Sequence, residues 1–140
     1  MAKMAAKGAI FAYESSTSPS VFSTIPGVGD FDLPLVGERD EIDVTSHDSA
    51  GDYEETVLGV IRTPSITVPI NGWDGTNTHH AAMVTRAQAN TLTNFKVTTK
   101  DTKIYTFAGY IKGVTIGNPV NGALSATLTV KPTGAITPAA

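Results

Sequence analysis

The chain has 140 residues, enough for one compact domain with its own core and hardly for two. Hydrophobic residues make up 41% and charged residues only 16%, and cysteine is absent, which excludes a disordered chain, a disulfide scaffold and any thiol or cysteine-metal chemistry. The net charge of −3 divides unevenly: ten acids against Arg39 put residues 30–55 at −9, while seven bases against Asp74 and Asp101 put residues 56–140 at +5.

Ile10 to Tyr13 reads as a short first strand, preceded by a Lys-bearing N-terminus whose apolar stretch is too short for a secretion signal, so a cytoplasmic site of synthesis is expected. Glu14 to Ser20 reads as a linker, and residues 1–20 together as an N-terminal arm. Val21 to Ile25 is a second extended piece. From about 26 to 62 periodicity is poor, Pro26, Pro34 and the glycines interrupt it, and the stretch is expected to be one long acidic loop.

Ile66, Val68 and Ile70 alternate with polar residues and Pro69, which predicts a half-buried strand with an edge or a bulge at the proline. Thr76 or Asn77 can cap a helix over about 78–90 whose apolar stripe (Ala82, Met83, Val84, Ala87) suits packing on a sheet. Phe95 and Val97 alternate with polar neighbours in another strand. The stretch from Lys103 to Ile116 is apolar on both faces, which predicts that both are covered. Ala123 to Lys131 alternates cleanly, with Leu124, Ala126, Leu128 and Val130 inward and Ser125, Thr127 and Thr129 outward; residues 133–140 read as a loose tail. The whole is a single, mainly β domain, an antiparallel sandwich or barrel with one α-helix.

No constellation carries catalysis or a cofactor. Thr45-Ser46-His47-Asp48-Ser49 holds nucleophile, base and acid side by side, but triads are assembled from separate segments, and these side chains suit bonds to their own loop. His79 and His80 are adjacent rather than four apart, so they do not share a helix face as a zinc pair would. Gly27-Val28-Gly29-Asp30 lacks the Lys-Ser/Thr of a phosphate loop, and the acidic stretch lacks EF-hand spacing. No metal site and no enzyme activity is expected. A chain poor in charge, rich in its 20 threonines and split into an acidic pole and a basic body is instead suited to bind copies of itself.

One stretch is more specific. Asp40-Glu-Ile-Asp-Val-Thr-Ser-His-Asp-Ser49, with Gly51, Glu54-Glu55 and Gly59 behind it, resembles the signature of tail tube proteins (major tail proteins) of long-tailed, non-contractile bacteriophages. Ile66-Thr-Val68, the helix near 78–90, Tyr105-Thr-Phe-Ala-Gly-Tyr110 and Leu124 to Val130 are similar to the elements that follow in that family. The resemblance spans roughly residues 21–132; the family's aromatic before the Phe95 strand is missing.

The resemblance implies a structural protein of the virion tail. Hexameric rings would stack into a hollow tube, with a β-barrel wall inside and the helix outside. Its partners would be copies of itself, a tape-measure protein and other tail proteins. Genomic DNA would pass through without tight binding, and no membrane-spanning segment is expected. Glu38, Asp40, Glu41, Asp43, Thr45, His47, Asp48 and Ser49 would form the inter-ring stacking loop. Ser125, Thr127 and Thr129 are the candidate lumen face, because short neutral polar side chains let phosphates slide. The alternatives are another ring-forming protein of the same fold (a contractile-tail tube, a tail terminator or a secretion-system tube) and, from a different class, an Ig-like binding module.

Overall fold

The structure is a computed structural model that describes residues 7–17 and 20–138; the ends of the expected N-terminal arm and C-terminal tail lie outside the described residues. Nine elements follow in order: β1 (Ile10–Thr17), β2 (Ser20–Thr24), β3 (Glu38–Asp43), β4 (Thr56–Arg62), β5 (Ile66–Asn71), α1 (Thr78–Ala89), β6 (Thr93–Thr98), β7 (Ile104–Gly117) and β8 (Ser125–Pro138). Six strands form one antiparallel sheet in the order β2-β1-β6-β7-β8-β5, and β3 and β4 form a separate two-stranded ribbon.

The alternating strands lie as their patterns predict. Ile66, Val68 and Ile70 of β5 face Val130, Leu128 and Ala126 of β8, and all six are buried. Phe95 sits between Tyr13 and Phe107 in the register, and Phe11, Phe95 and Phe107 cluster with ring centroids 5.3 to 6.4 Å apart. Pro69 is on β5, the outer strand of the sheet, where its missing N–H falls on the side away from β8 and leaves the β5–β8 ladder intact.

The sheet is closed by a segment outside its named strands. Residues 25–29 continue from β2, and the Ile25 N–H still donates to the Phe11 carbonyl on β1 (3.0 Å). Two residues later the chain reaches the opposite edge, where Asn71 donates to the Gly27 carbonyl (2.7 Å) and Gly29 to the Pro69 carbonyl (2.8 Å). The continuation of β2 thereby joins that edge of the sheet to the β5 edge, closing a barrel at that end. Gly27 makes this crossing possible: its φ is +81°, and a Cβ there would lie 2.5 Å from the Asn71 carbonyl oxygen. Gly27→Ala is expected to destabilise the subunit by about 1–3 kcal/mol, from the strained φ together with the displaced strand edge. Chemical denaturation of the two proteins measures this, and equal midpoints would remove the closure from the account.

The helix is capped as the sequence suggests, by Asn77, whose side-chain oxygen accepts from the His79 N–H (2.9 Å) and the His80 N–H (3.4 Å). It ends at Asn90 in the left-handed conformation. Its inner face rests on the sheet through Met83, fully buried, and through polar contacts. The His79 Nδ1 and Tyr13 hydroxyl lie 2.9 Å apart, the Arg86 guanidinium donates to the Thr93 hydroxyl (3.0 Å), and it also covers the Tyr13 ring. His80 stacks on Trp73 and lies 2.8 Å from the Pro26 carbonyl, tying the helix start to the crossing segment.

Five expectations are corrected. The long loop over 26–62 is not one irregular loop: Glu38–Asp43 and Thr56–Arg62 pair as a hairpin, in register from Glu38↔Arg62 to Asp43↔Thr56. It escaped notice because strands exposed on both faces carry no apolar alternation. The C-terminal tail is not loose to its end. β8 runs on to Pro138, opposite Tyr105–Gly109 of β7, and buries Ile136; an irregularity around Gly134 (φ +79°) absorbs the breakers that suggested a free tail. β1 likewise continues through what read as a linker.

The two-sided character of β7 has a different cause from the one expected. A bulge between Ile111 and Gly113 switches its inward side, so Phe107 and Ile111 face the core before it and Val114 and Ile116 pair with the inward residues of β8 after it. One face is covered, by two successive registers. Leu124 does not point inward with Ala126, Leu128 and Val130 but is exposed at the mouth of the β7–β8 turn.

Candidate assembly surface

Two surfaces collect the residues that the sequence singled out. The first is the ribbon and its tip. Asp43 accepts from the Thr45 N–H (2.9 Å), the Thr45 hydroxyl bridges to Glu55 (its oxygen 2.7 Å from the Glu55 N–H), and Ser46 and Ser49 bond one another's backbone. Thr45, Ser46 and Ser49 are thus spent on their own turn, where the Asp48 N–H also donates to the Ser46 hydroxyl, and the His47 and Asp48 side chains are presented outward on it. The Thr45 bonds hold the Asp43 carboxyl below the usual carboxylate range.

A depressed carboxyl contributes order that is complete above its ordinary pKa and disappears as pH falls through the lower folded value. The Thr45 amide resonance is therefore expected to titrate below the ordinary aspartate range, and in Asp43→Asn to stay flat. A titration at or above that range would remove the Asp43 turn as the anchor of the tip.

The ribbon's chemistry is mixed in a way the sequence reading did not weigh. Along 38–62 it holds eight carboxylates against Arg39 and Arg62, and Arg62 is paired with Asp40 (2.7 Å) on the surface. Yet Ile42, Val57, Leu58, Val60, Ile61 and Tyr53 are also exposed, Tyr53 by 83%. Ile42 and Val57 lie opposite each other on one face, and Leu58, beside Glu41, on the other. A lone two-stranded hairpin is marginal in water, and apolar side chains on both its faces find no cover within the subunit. The apolar residues Val57, Leu58, Val60 and Ile61, so close together, were the available signal.

The second surface is the face of the sheet turned away from the helix. There Asn71, Ser125 and Gly117 lie in one cross-strand row, Pro69, Thr127 and Thr115 in the next, and Thr67, Thr129 and Gly113 in a third. Ser125 and Thr129 are half-buried and Thr127 is exposed. The Lys131 ammonium, at the end of this face, donates to the Thr63 carbonyl. The sheet thus brings Ser125, Thr127 and Thr129 into a neutral, hydroxyl-rich wall well away from the ribbon tip.

Among the described residues no group of three His, Cys, Asp or Glu is placed to hold a metal ion, and no helix is long and apolar enough to cross a membrane. His79 and His80 are engaged in packing the helix, as described above.

No protein-family model matches the chain, and no curated protein sequence matches it. Solved structures do. The chain is similar to the tail of an empty gene transfer agent particle, refined with C6 symmetry, at a TM-score of 0.72 and 20% identity over 94% of this chain and 96% of that one. It is similar to the SPP1 tail tube at a TM-score of 0.69 and 16% identity, over 90% of this chain and 73% of that one. It is also similar to a chain in the baseplate of the anti-feeding prophage, at a TM-score of 0.69 and 8% identity over 99% and 97%. The fold is that of tail tube proteins, a mainly β antiparallel architecture with one helix.

Proposed function

We propose that this chain is the structural subunit of a phage-type tail tube. Six copies close into a ring and rings stack into a hollow conduit for genomic DNA. The observation that carries this is the ribbon: on a barrel of the tail-tube fold, it is exposed, apolar on both faces and acidic, so it is built for burial against another copy with a more basic body. Glu38, Asp40, Glu41, Asp43, Thr45, His47, Asp48 and Ser49 belong to that stacking element. No catalytic step is assigned to any residue. Negative-stain microscopy of the concentrated protein is expected to show hollow rings or tubes; uniform 14.6 kDa monomers at every concentration and ionic strength would overturn the reading.

The wall of Ser125, Thr127 and Thr129 faces the bore in this reading. It offers a passing duplex hydroxyls rather than cations, and each added cation–phosphate contact would add salt-dependent affinity. Thr127→Lys places six cations per ring on that wall without touching the core. Tails are expected to look normal, with DNA delivery slowed and infectivity reduced. Unchanged infectivity would put Thr127 on the outside.

A further inference from the structure

The most exposed apolar residue described is Val120, at 98%. It tips the turn between β7 and β8, an uncharged stretch from Asn118 to Ala123 in which the Pro119 ring lies against Gly122 and Val120 is left pointing outward. Ile116 and Leu124, both partly exposed, flank it, and the root of the turn is tied down by the Trp73 N–H donating to the Leu124 carbonyl (2.8 Å). The result is a braced apolar knob.

At the far end of β8 lies a groove of about 510 Å³ between the base of the ribbon and the last strand residues. Leu35, Val36, Val60, Ile61 and Ile136 give it an apolar lining. Its two cations are already engaged, Arg62 with Asp40 and Lys131 with the Thr63 carbonyl, so an uncharged knob can enter without desolvating a free charge.

Knob and groove lie at opposite ends of the same strand. From Ser125 to Lys131, the first β8 residue lining the groove, is six residues, roughly 20 Å at the rise of a β-strand. One copy cannot fill its own groove. A knob at one end and a matching groove at the other make a heterologous, head-to-tail contact, which repeats indefinitely along a stack.

Resting on the tube reading, we infer that the 118–124 turn of one copy seats Val120 in the groove beside Ile136 of the next copy along the tube. The contact is separate from the ribbon tip and adds a second point of register between successive copies.

The chain has no cysteine, so a pair can be introduced cleanly. Val120→Cys combined with Val36→Cys cannot close within one copy, because a disulfide needs Cα atoms within about 7 Å. Under mild oxidation with diamide, which takes up the two thiol hydrogens, polymerised double mutant is expected to give a ladder of dimers, trimers and longer species on non-reducing gels. Each single cysteine is expected to give no species beyond a dimer. Val120→Asp is expected to raise the concentration needed for polymerisation about tenfold or more, with the melting temperature of the free subunit unchanged. Tubes without a ladder, or polymerisation unaffected by Val120→Asp, overturn the contact and leave the tube reading standing. Failure of the unmodified chain to form tubes overturns the tube reading itself.

Discussion

Leu128→Asp is expected to leave no folded subunit. Leu128 is fully buried in the first half of β8, between Val68 of β5 and Val114 of β7, at the position where the sheet is covered on its inner side. Truncating a buried leucine costs about 2–5 kcal/mol, and an unpaired buried carboxylate adds several more, which together reach the whole stability of an ordinary domain of about 5–15 kcal/mol. Expression is expected to give insoluble protein or a chain without a cooperative thermal transition. Two controls separate chemistry from position. Leu128→Met keeps volume and polarity and is expected to cost under about 1.5 kcal/mol. Thr127→Asp, one residue away on the other face, is expected to fold. A cooperative melt for Leu128→Asp within a few degrees of the parent would contradict the assignment of the core face.

The second large effect separates folding from assembly. No residue between Pro26 and Ser65 is fully buried, and those of this stretch that pack against the core, Val28, Phe31 and Leu33, all precede the ribbon. The ends of the ribbon also meet. A Cβ on Gly37 would fall 2.2 Å from the Arg62 carbonyl oxygen and 2.9 Å from the Thr63 Cα, so the two strands leave the body in contact. Replacing residues 38–62 with a Gly-Ser turn is therefore expected to leave the barrel folded, with its stability altered by no more than about 1 kcal/mol, since a shorter connection costs less closure entropy. The same variant is expected to sediment as a monomer at concentrations where the parent forms polymers. Polymerisation of the shortened chain would show that the ribbon is dispensable for assembly. Loss of its cooperative transition would show instead that the ribbon is part of the folding unit.

The candidate surfaces were only partly legible in the sequence. The Asp43 to Ser49 turn could be read as self-bonded because Asx and hydroxyl side chains reach backbone groups two or three residues away. The row of Ser125, Thr127 and Thr129 could be read as one face because strand alternation is a local property. The apolar character of the ribbon could not be placed, since Val57 to Ile61 lies within a stretch whose breakers and acidic charge read as a loop. What leaves it exposed is its pairing with the acidic Glu38–Asp43, which gives it no sheet to lie on. The groove beside Ile136 was hidden for a related reason: a stretch with Pro132, Gly134 and Pro138 reads as a free tail until β7 is long enough to pair with it.

The sequence by itself determined the parts whose physics is short-ranged. These are the alternating strands at 66–70, 95–98 and 125–130, the Asn77 cap and the helix behind it, Pro69 on an outer strand, and the separation of acidic and basic charge. Tertiary structure alone decided the rest. The bulge after Ile111 turns an apparently two-faced strand into a one-faced one, Gly27 lets residues 25–29 join the two edges of the barrel, and β3 finds β4 across thirteen or more residues of chain. Each of these depends on which backbone groups remain unpaired when distant segments meet. A buried N–H or carbonyl must find a partner wherever the fold provides one, and no local pattern of side chains records where that is.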